Sequence, residues 1–188
     1  MKSLEDYIQE AAKGGSTRSG IVLGIRMSLL ALKELQLETP PHDRSLITIV
    51  EIDRCLPDAV QLLTGCRLGN RTLKFKDYGK MAATFVDMEK NRAIRIAAKE
   101  SVNQRLLASN PADEEEALRG GYQSLPDEDL FTWQWVRIAL PVEERPGYRG
   151  PRVVCSRCGE GISFGREVAR CGSLLCRACA GQPYFESV

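Results

Sequence analysis

The chain has 188 residues, 43% of them hydrophobic, 6% aromatic and 27% charged, with a formal net charge of +1. That length suits one domain, or one domain with a small module, and the composition excludes a collagen, a coiled coil or a disordered chain as a description of the whole. No apolar run approaches the roughly 20 residues of a membrane span, since Ile21-Val22-Leu23-Gly24-Ile25 stops at Arg26. The segment Met1-Lys2-Ser3-Leu4-Glu5-Asp6 has neither a signal-peptide core nor an Arg-rich transit pattern, so a cytoplasmic protein without a membrane partner is expected.

Ser3 with Asp6 three residues on predicts a capped helix through Leu4, Tyr7, Ile8, Ala11 and Ala12, ending at Gly14-Gly15. A longer helix begins near Ser19-Gly20 and carries Ile21, Ile25, Leu29, Leu32 and Leu35 on one stripe. Gly20 and Gly24, four apart, would admit a second backbone. Leu46 to Ile52 reads as a buried strand, and Pro57 as the first position of a short helix ended by Thr64-Gly65. Thr72–Lys76, Thr84–Val86 and Arg92–Ile96 follow as strands, the last two joined by a turn at Glu89-Lys90-Asn91. Residues 111–119 predict a short helix with a solvated acidic first turn. Trp133 to Ile138 alternates as one more strand. The pattern predicts an α+β fold, an antiparallel sheet with packed helices. The stripe and glycines of the long helix, with the prevalence of twofold assemblies, predict a homodimer.

Composition shifts at Pro141, Pro146, Gly147, Gly150 and Pro151, which places a core at 1–140, a linker at 141–152 and a module at 153–188. Five of the seven cysteines crowd into that module. Cys155-x-x-Cys158 and Cys176-x-x-Cys179, separated by 17 residues, have the spacing of a four-thiolate zinc site. A closed shell of four sulfurs leaves no position for substrate, so one structural zinc per chain is expected; an iron–sulfur cluster is the other four-cysteine occupant. Ile162–Phe164 and Val168–Arg170 would form a hairpin and the second cysteine pair would open a brief helix, an arrangement that resembles a treble-clef zinc finger. Cys171, the spare thiol, is expected to pack as a small hydrophobe. Residues 145–180 hold seven Arg, no Lys and two Glu. Their excess of five positive charges falls to about three once a zinc tetrathiolate forms. With no recognition helix and no aromatic stacking face, nucleic acid is a minor expectation.

The densest run of reactive residue types lies in the core, from Glu51 to Lys80. Cys55 stands just before a helix, where amide N–H groups favour a thiolate. Thr64-Gly65-Cys66 and Gly69-Asn70 make a lean loop, and Lys80 follows a tight Asp77-Tyr78-Gly79 turn. Buried inert thiols, turn glycines and a surface lysine account for the same residues.

Asp53-Arg54-Cys55 with Asp58, Thr64-Gly65-Cys66 with Gly69-Asn70-Arg71, and Asp77-Tyr78-Gly79-Lys80, followed by Met81 to Phe85, resemble in that order the core motif of the E-subunit family of formylmethanofuran dehydrogenase. The resemblance runs through roughly residues 18–97 and resumes at the finger. It implies an α+β core with, often, a C-terminal treble-clef zinc finger, and an association with methanogenesis-related one-carbon metabolism. The family typically carries His-Gly-His-x-Cys-Pro-Gly before the long helix, whereas residues 14–20 here read Gly14-Gly15-Ser16-Thr17-Arg18-Ser19-Gly20. Both imidazoles and the thiol are gone. The sole histidine, His42, sits in a loop signal, so a core metal is not expected.

Arg18 at a helix start could instead favour an anion, with Asn70 and Arg71 joining it if the fold brings the 14–20 and 64–70 loops together. The leading expectation is therefore a zinc-binding accessory, assembly or small-acidic-ligand-binding protein with possible protein partners. The alternatives are an enzyme with Cys55 or Cys66 as nucleophile supported by Asp58 and Lys80, and a zinc-finger regulator.

Overall fold

The computed structural model describes residues 2–13, 17–41 and 43–186, so the Gly14–Ser16 stretch and His42 lie outside the described residues. The chain divides into two compact units, residues 1–138 and 139–188.

In the first unit, α1 (Leu4–Ala12) opens on the expected reciprocal cap: Ser3 Oγ accepts from Asp6 N at 3.1 Å and Asp6 Oδ2 accepts from Ser3 N at 2.9 Å. α2 (Ser19–Leu35) is the central helix, with Val22, Ile25, Met27, Leu32 and Leu35 fully buried. β1 (Leu46–Val50) leads into α3 (Leu56–Thr64), which starts with Pro57 in its first turn and ends at Gly65 in the left-handed region. β2 (Leu73–Phe75), β3 (Ala82–Asp87) and β4 (Arg92–Ala98) follow. After α4 (Glu100–Ser109), α5 (Glu114–Ser124) and the single turn α6 (Asp127–Leu130), β5 (Phe131–Val136) completes the sheet.

The sheet order is β2-β1-β3-β4-β5. All pairs are antiparallel except β1 with β2, which run parallel with Thr48 opposite Leu73. The expected antiparallel sheet with packed helices is borne out except at that edge, where α3 carries the chain back to the starting end of β1, as a parallel pair requires. Period two puts Leu46, Thr48 and Val50 on one face with Phe85, Ile94 and Ile96, and the helices cover it. Glu51 and Arg95 belong to the opposite face. There Arg95 Nε and Nη2 donate to Glu51 Oε1 and Oε2 at 2.6 and 2.7 Å, and the carboxylate lifts the guanidinium pKa further.

The stripe and glycines of α2 are used inside the chain. A Cβ on Gly24 would lie 2.6 Å from Ala59 Cβ, and one on Gly20 would lie 2.9 Å from Cys55 Cβ. Close approach at these two glycines therefore serves the α2–α3 contact.

The second unit begins with one 3₁₀ turn, Val142–Glu144, inside the stretch expected to be linker. Its strands are β6 (Arg152–Val154), β7 (Gly161–Ser163), β8 (Val168–Arg170) and β9 (Ser173–Leu175). β6 pairs with β7 and β8 with β9. The expected hairpin between Ile162–Phe164 and Val168–Arg170 is thus corrected: each segment pairs outward, not with the other. Cys171 and Gly172, at φ 47° and 77°, form the two-residue turn of the second hairpin. Cys171 is exposed there, not packed as a small hydrophobe. The helix expected after Cys176 is a turn only, closed by Ala180 N donating to Cys176 O at 2.9 Å.

Candidate functional site

The two hairpins bring the four paired cysteines together. The first pair occupies the bend between β6 and β7, where Cys155 N donates to Glu160 O, Gly159 N donates to Cys155 O, and Gly159 takes φ 77°. The second pair follows β9 directly. Ser156 N donates to Leu174 O at 2.9 Å and ties the first bend to the second hairpin. All four sulfurs lie within 4.8 Å of one another, and Cys158 Sγ is 3.9 Å from Cys176 Sγ. A regular zinc tetrathiolate with bonds of about 2.3 Å has sulfur–sulfur edges of about 3.8 Å. The donor set therefore fits a closed four-thiolate ion with only a small contraction.

The polar surroundings already favour a thiolate at one corner. Backbone N–H groups of Cys158 and Cys176 lower the Cys155 thiol to about 6, with Cys176 N donating to its sulfur at 3.3 Å. Cys179 is pushed up to about 12 by sharing its proton with Cys176 and by burial. At Cys158 the Glu160 N–H pulls the pKa down, but sharing with Cys155 and burial outweigh it and the thiol rises. Cys158 and Cys179 thus keep their protons more readily than Cys155 does. A divalent cation replaces those protons and makes the affinity pH-dependent.

The core motif divides between the two ends of β1. At the end where β1 finishes, Cys55 precedes α3 at φ 33° and is half-buried against Gly20, while Asp58 is exposed on the first turn of α3. Lys80 comes to the same end, since Tyr78 N and Lys80 N both donate to Glu51 O at 3.2 Å, and its side chain is exposed. Cys66 lies at the other end, buried, with its thiol donating to Leu46 O at 3.5 Å and accepting from Thr48 Oγ1 at 3.6 Å. Its hydrogen bonds are those of a core thiol. The four catalytic candidates are not gathered into one site.

Nor are the anion candidates. Arg18 is the exposed N-cap residue of α2 beside the start of α3, whereas Asn70 and Arg71 follow the end of α3, a helix of nine residues and about 13 Å. The N-terminus of α2 already has its anion. Ser19 N donates to Glu115 Oε1 in a short hydrogen bond, and Ser19 Oγ donates to Glu115 Oε2 at 2.9 Å. Arg18 contributes no side-chain cap. Glu115 belongs to the acidic run read as a solvated face, and it acts 96 residues away in sequence. A second long-range clamp escaped the sequence reading too: Arg26 on α2 donates to Tyr122 O, Leu125 O and Asp127 Oδ1 at 2.7, 2.9 and 2.6 Å.

Comparison with known proteins places this architecture. A family model described as "FmdE, Molybdenum formylmethanofuran dehydrogenase operon" matches residues 15–132. The chain belongs to the FmdE family. That match spans α2 to β5 and ends before the four cysteines. A solved structure from Syntrophus aciditrophicus, of a protein like the E subunit (FmdE) of tungsten formylmethanofuran dehydrogenase, extends past it, covering 98% of this chain and 96% of its own at TM-score 0.66 and 25% identity. A protein of Archaeoglobus fulgidus named "Probable S-adenosyl-L-methionine-binding protein" is 30% identical over 188 residues, 87% of this FmdE-family chain and 49% of that protein. The chain thus spans about half the length of that curated relative. No helix among the described residues is long and apolar enough to cross a membrane.

Proposed function

We propose that this FmdE-family chain is an accessory protein of one-carbon metabolism, its C-terminal unit organised by one structural zinc on Cys155, Cys158, Cys176 and Cys179. The observation that carries this reading is the contrast between the two cysteine sets. Four sulfurs converge within 4.8 Å, while Cys55 and Cys66 serve opposite ends of β1. A four-thiolate shell takes no substrate and supplies folding energy to a unit whose large side chains are mostly exposed, as at Val154, Tyr184 and Phe185. When bound, the ion provides charge neutralisation and cross-linking of the two hairpins. The cysteines supply the ligands, and the Cys158 and Cys176 amides hold the sulfur of Cys155 in place. A family named for an operon, and a structural relative likened to one subunit of a larger enzyme, support a protein that works beside others.

A thiol-reactivity profile at neutral pH tests the accessory role against the enzyme alternative. Alkylation of Cys55 and Cys66 that is slower than that of the exposed Cys171 agrees with it. A single fast-reacting Cys55 would favour nucleophilic catalysis. A second reading, binding of S-adenosylmethionine by the core, is favoured by the name of the Archaeoglobus relative. Calorimetric titration of the full chain with that compound tests it, and no heat at millimolar concentration removes it.

A further inference from the structure

Where β1 begins, the loop before it and the loop after α3 line a cavity of about 270 Å³ that is open to solvent. Arg44, Thr64, Cys66, Arg67, Asn70 and Thr72 contribute to its wall, and among the described residues no aspartate or glutamate does. The frame is fixed from within. Thr64 Oγ1 donates to Val60 O at 2.6 Å and accepts from Cys66 N at 3.1 Å. Thr72 Oγ1 accepts from Arg67 N at 2.9 Å, while Thr72 N and Leu73 N both return to Arg67 O at 3.2 Å. Arg71 N closes the turn onto Leu68 O. Both hydroxyls and the Cys66 thiol are therefore committed to holding the loop, leaving Arg44, Arg67 and Asn70 as donors. Among the described residues, neither guanidinium has an ion pair or a side-chain hydrogen bond, and both are exposed.

Two contributions oppose an anion, one of them the carboxylate of Asp43, which neighbours Arg44 in the chain and accepts from Ser45 N at 2.9 Å. The C-terminal end of α3 reaches this cavity at Thr64 and Gly65 and brings about half a negative charge. The two full positive charges of Arg44 and Arg67 still exceed these together, and they line the wall whereas Asp43 does not. Size then limits the guest. The volume falls just below the ~300–1,000 Å³ of sites for drug-sized ligands, too small for a dinucleotide and ample for one tetrahedral oxyanion. Planar guanidiniums and a carboxamide offer forked donors that suit phosphate oxygens.

We propose that this cavity binds a compact phosphate-type oxyanion through Arg44, Arg67 and Asn70. The ligand is free phosphate or the phosphate group of a small phosphorylated metabolite. All of its lining residues belong to the first unit, and none is one of the four clustered cysteines.

The test is a titration of the ¹⁵N-labelled full chain with inorganic phosphate, followed by amide shifts, and repeated with glycerol phosphate. Saturable shifts at Gly65, Arg67, Asn70 and Thr72 are expected. Arg44→Gln and Arg67→Gln, which remove exposed side chains and leave the loop's backbone bonds intact, should each weaken binding about tenfold or more. Tighter binding of glycerol phosphate assigns a phosphomonoester, and tighter or equal binding of inorganic phosphate assigns the free ion. The proposal is overturned if neither probe shifts these amides at millimolar concentration. It is equally overturned if the shifts scatter over the arginines of residues 145–177, or if the double arginine variant binds as the parent does.

Discussion

Replacing Gly24 with alanine puts a methyl group into the closest part of the α2–α3 contact. The new Cβ would lie 2.6 Å from Ala59 Cβ and 3.3 Å from Leu56 Cδ1, against an optimum carbon–carbon separation of about 3.5–4.0 Å. The helices would have to part by about 1 Å, and neighbours Val22, Leu23, Ile25, Leu56, Ala59 and Val60 are all buried, so no slack absorbs the shift. Overpacking of this kind costs about 1–3 kcal/mol. The better helix propensity of alanine returns about 0.8–1.0 kcal/mol. The clash outweighs the propensity over most of that range, and Gly24→Ala should lower core stability by up to about 2 kcal/mol in urea unfolding followed by far-ultraviolet circular dichroism. Ala59→Gly alone should cost about 1 kcal/mol through propensity, yet in the Gly24→Ala background it should restore stability, because the methyl has only changed sides. A rescuing coupling of about 1 kcal/mol or more in the double-mutant cycle is the expected result. A stabilising Gly24→Ala, as at an exposed helical glycine, with additive double-mutant behaviour, would refute the close packing of these helices.

Glu115→Ala removes the carboxylate that caps α2 and should cost about 1–2 kcal/mol, read as a lower melting temperature of the core, while the neighbouring Glu114→Ala changes it little. Cys176→Ser should abolish metal retention and unfold residues 139–188, leaving the helical circular dichroism of the core largely intact. Burial pushes the Tyr122 hydroxyl up to about 12, and that hydroxyl donates to Asn103 Oδ1 at 2.6 Å. The contribution is complete below the ordinary tyrosine value of about 10 and is lost as pH rises through about 12. Core stability should therefore fall across that interval, and Tyr122→Phe should flatten the fall.

Local signals made much of the core legible. Ser3 and Asp6 announce α1 through a cap that needs no tertiary partner, and the turn between β3 and β4 is set by Asp87 accepting from Glu89 N and Lys90 N. The parallel β1–β2 pairing was not legible, because alternation in a strand fixes which residues share a face and not which strand lies beside it. α4 was missed because it buries Val102 alone, too little apolar periodicity to stand out. In the C-terminal unit, the cysteine spacing fits the coordination geometry of a four-thiolate ion and reads directly, but the second hairpin turns on Cys171 at positive φ, a conformation no cysteine advertises. The core candidates were legible as a motif and not as a site. Whether Arg18 meets Asn70, or Ser19 meets Glu115, depends on contacts as many as 96 residues apart in sequence, and nothing local encodes them.

The central claim is that the two hairpins exist to hold one ion in a shell of four sulfurs. X-ray absorption on the purified full chain, with metal stoichiometry on the same sample, tests it most directly. The expected result is one zinc per chain with four sulfur neighbours at about 2.3 Å, lost in Cys176→Ser and unchanged in Cys55→Ser or Cys66→Ser. Less than a tenth of an equivalent in protein prepared without chelator, or a shell with nitrogen or oxygen neighbours that changes in Cys55→Ser, would contradict it.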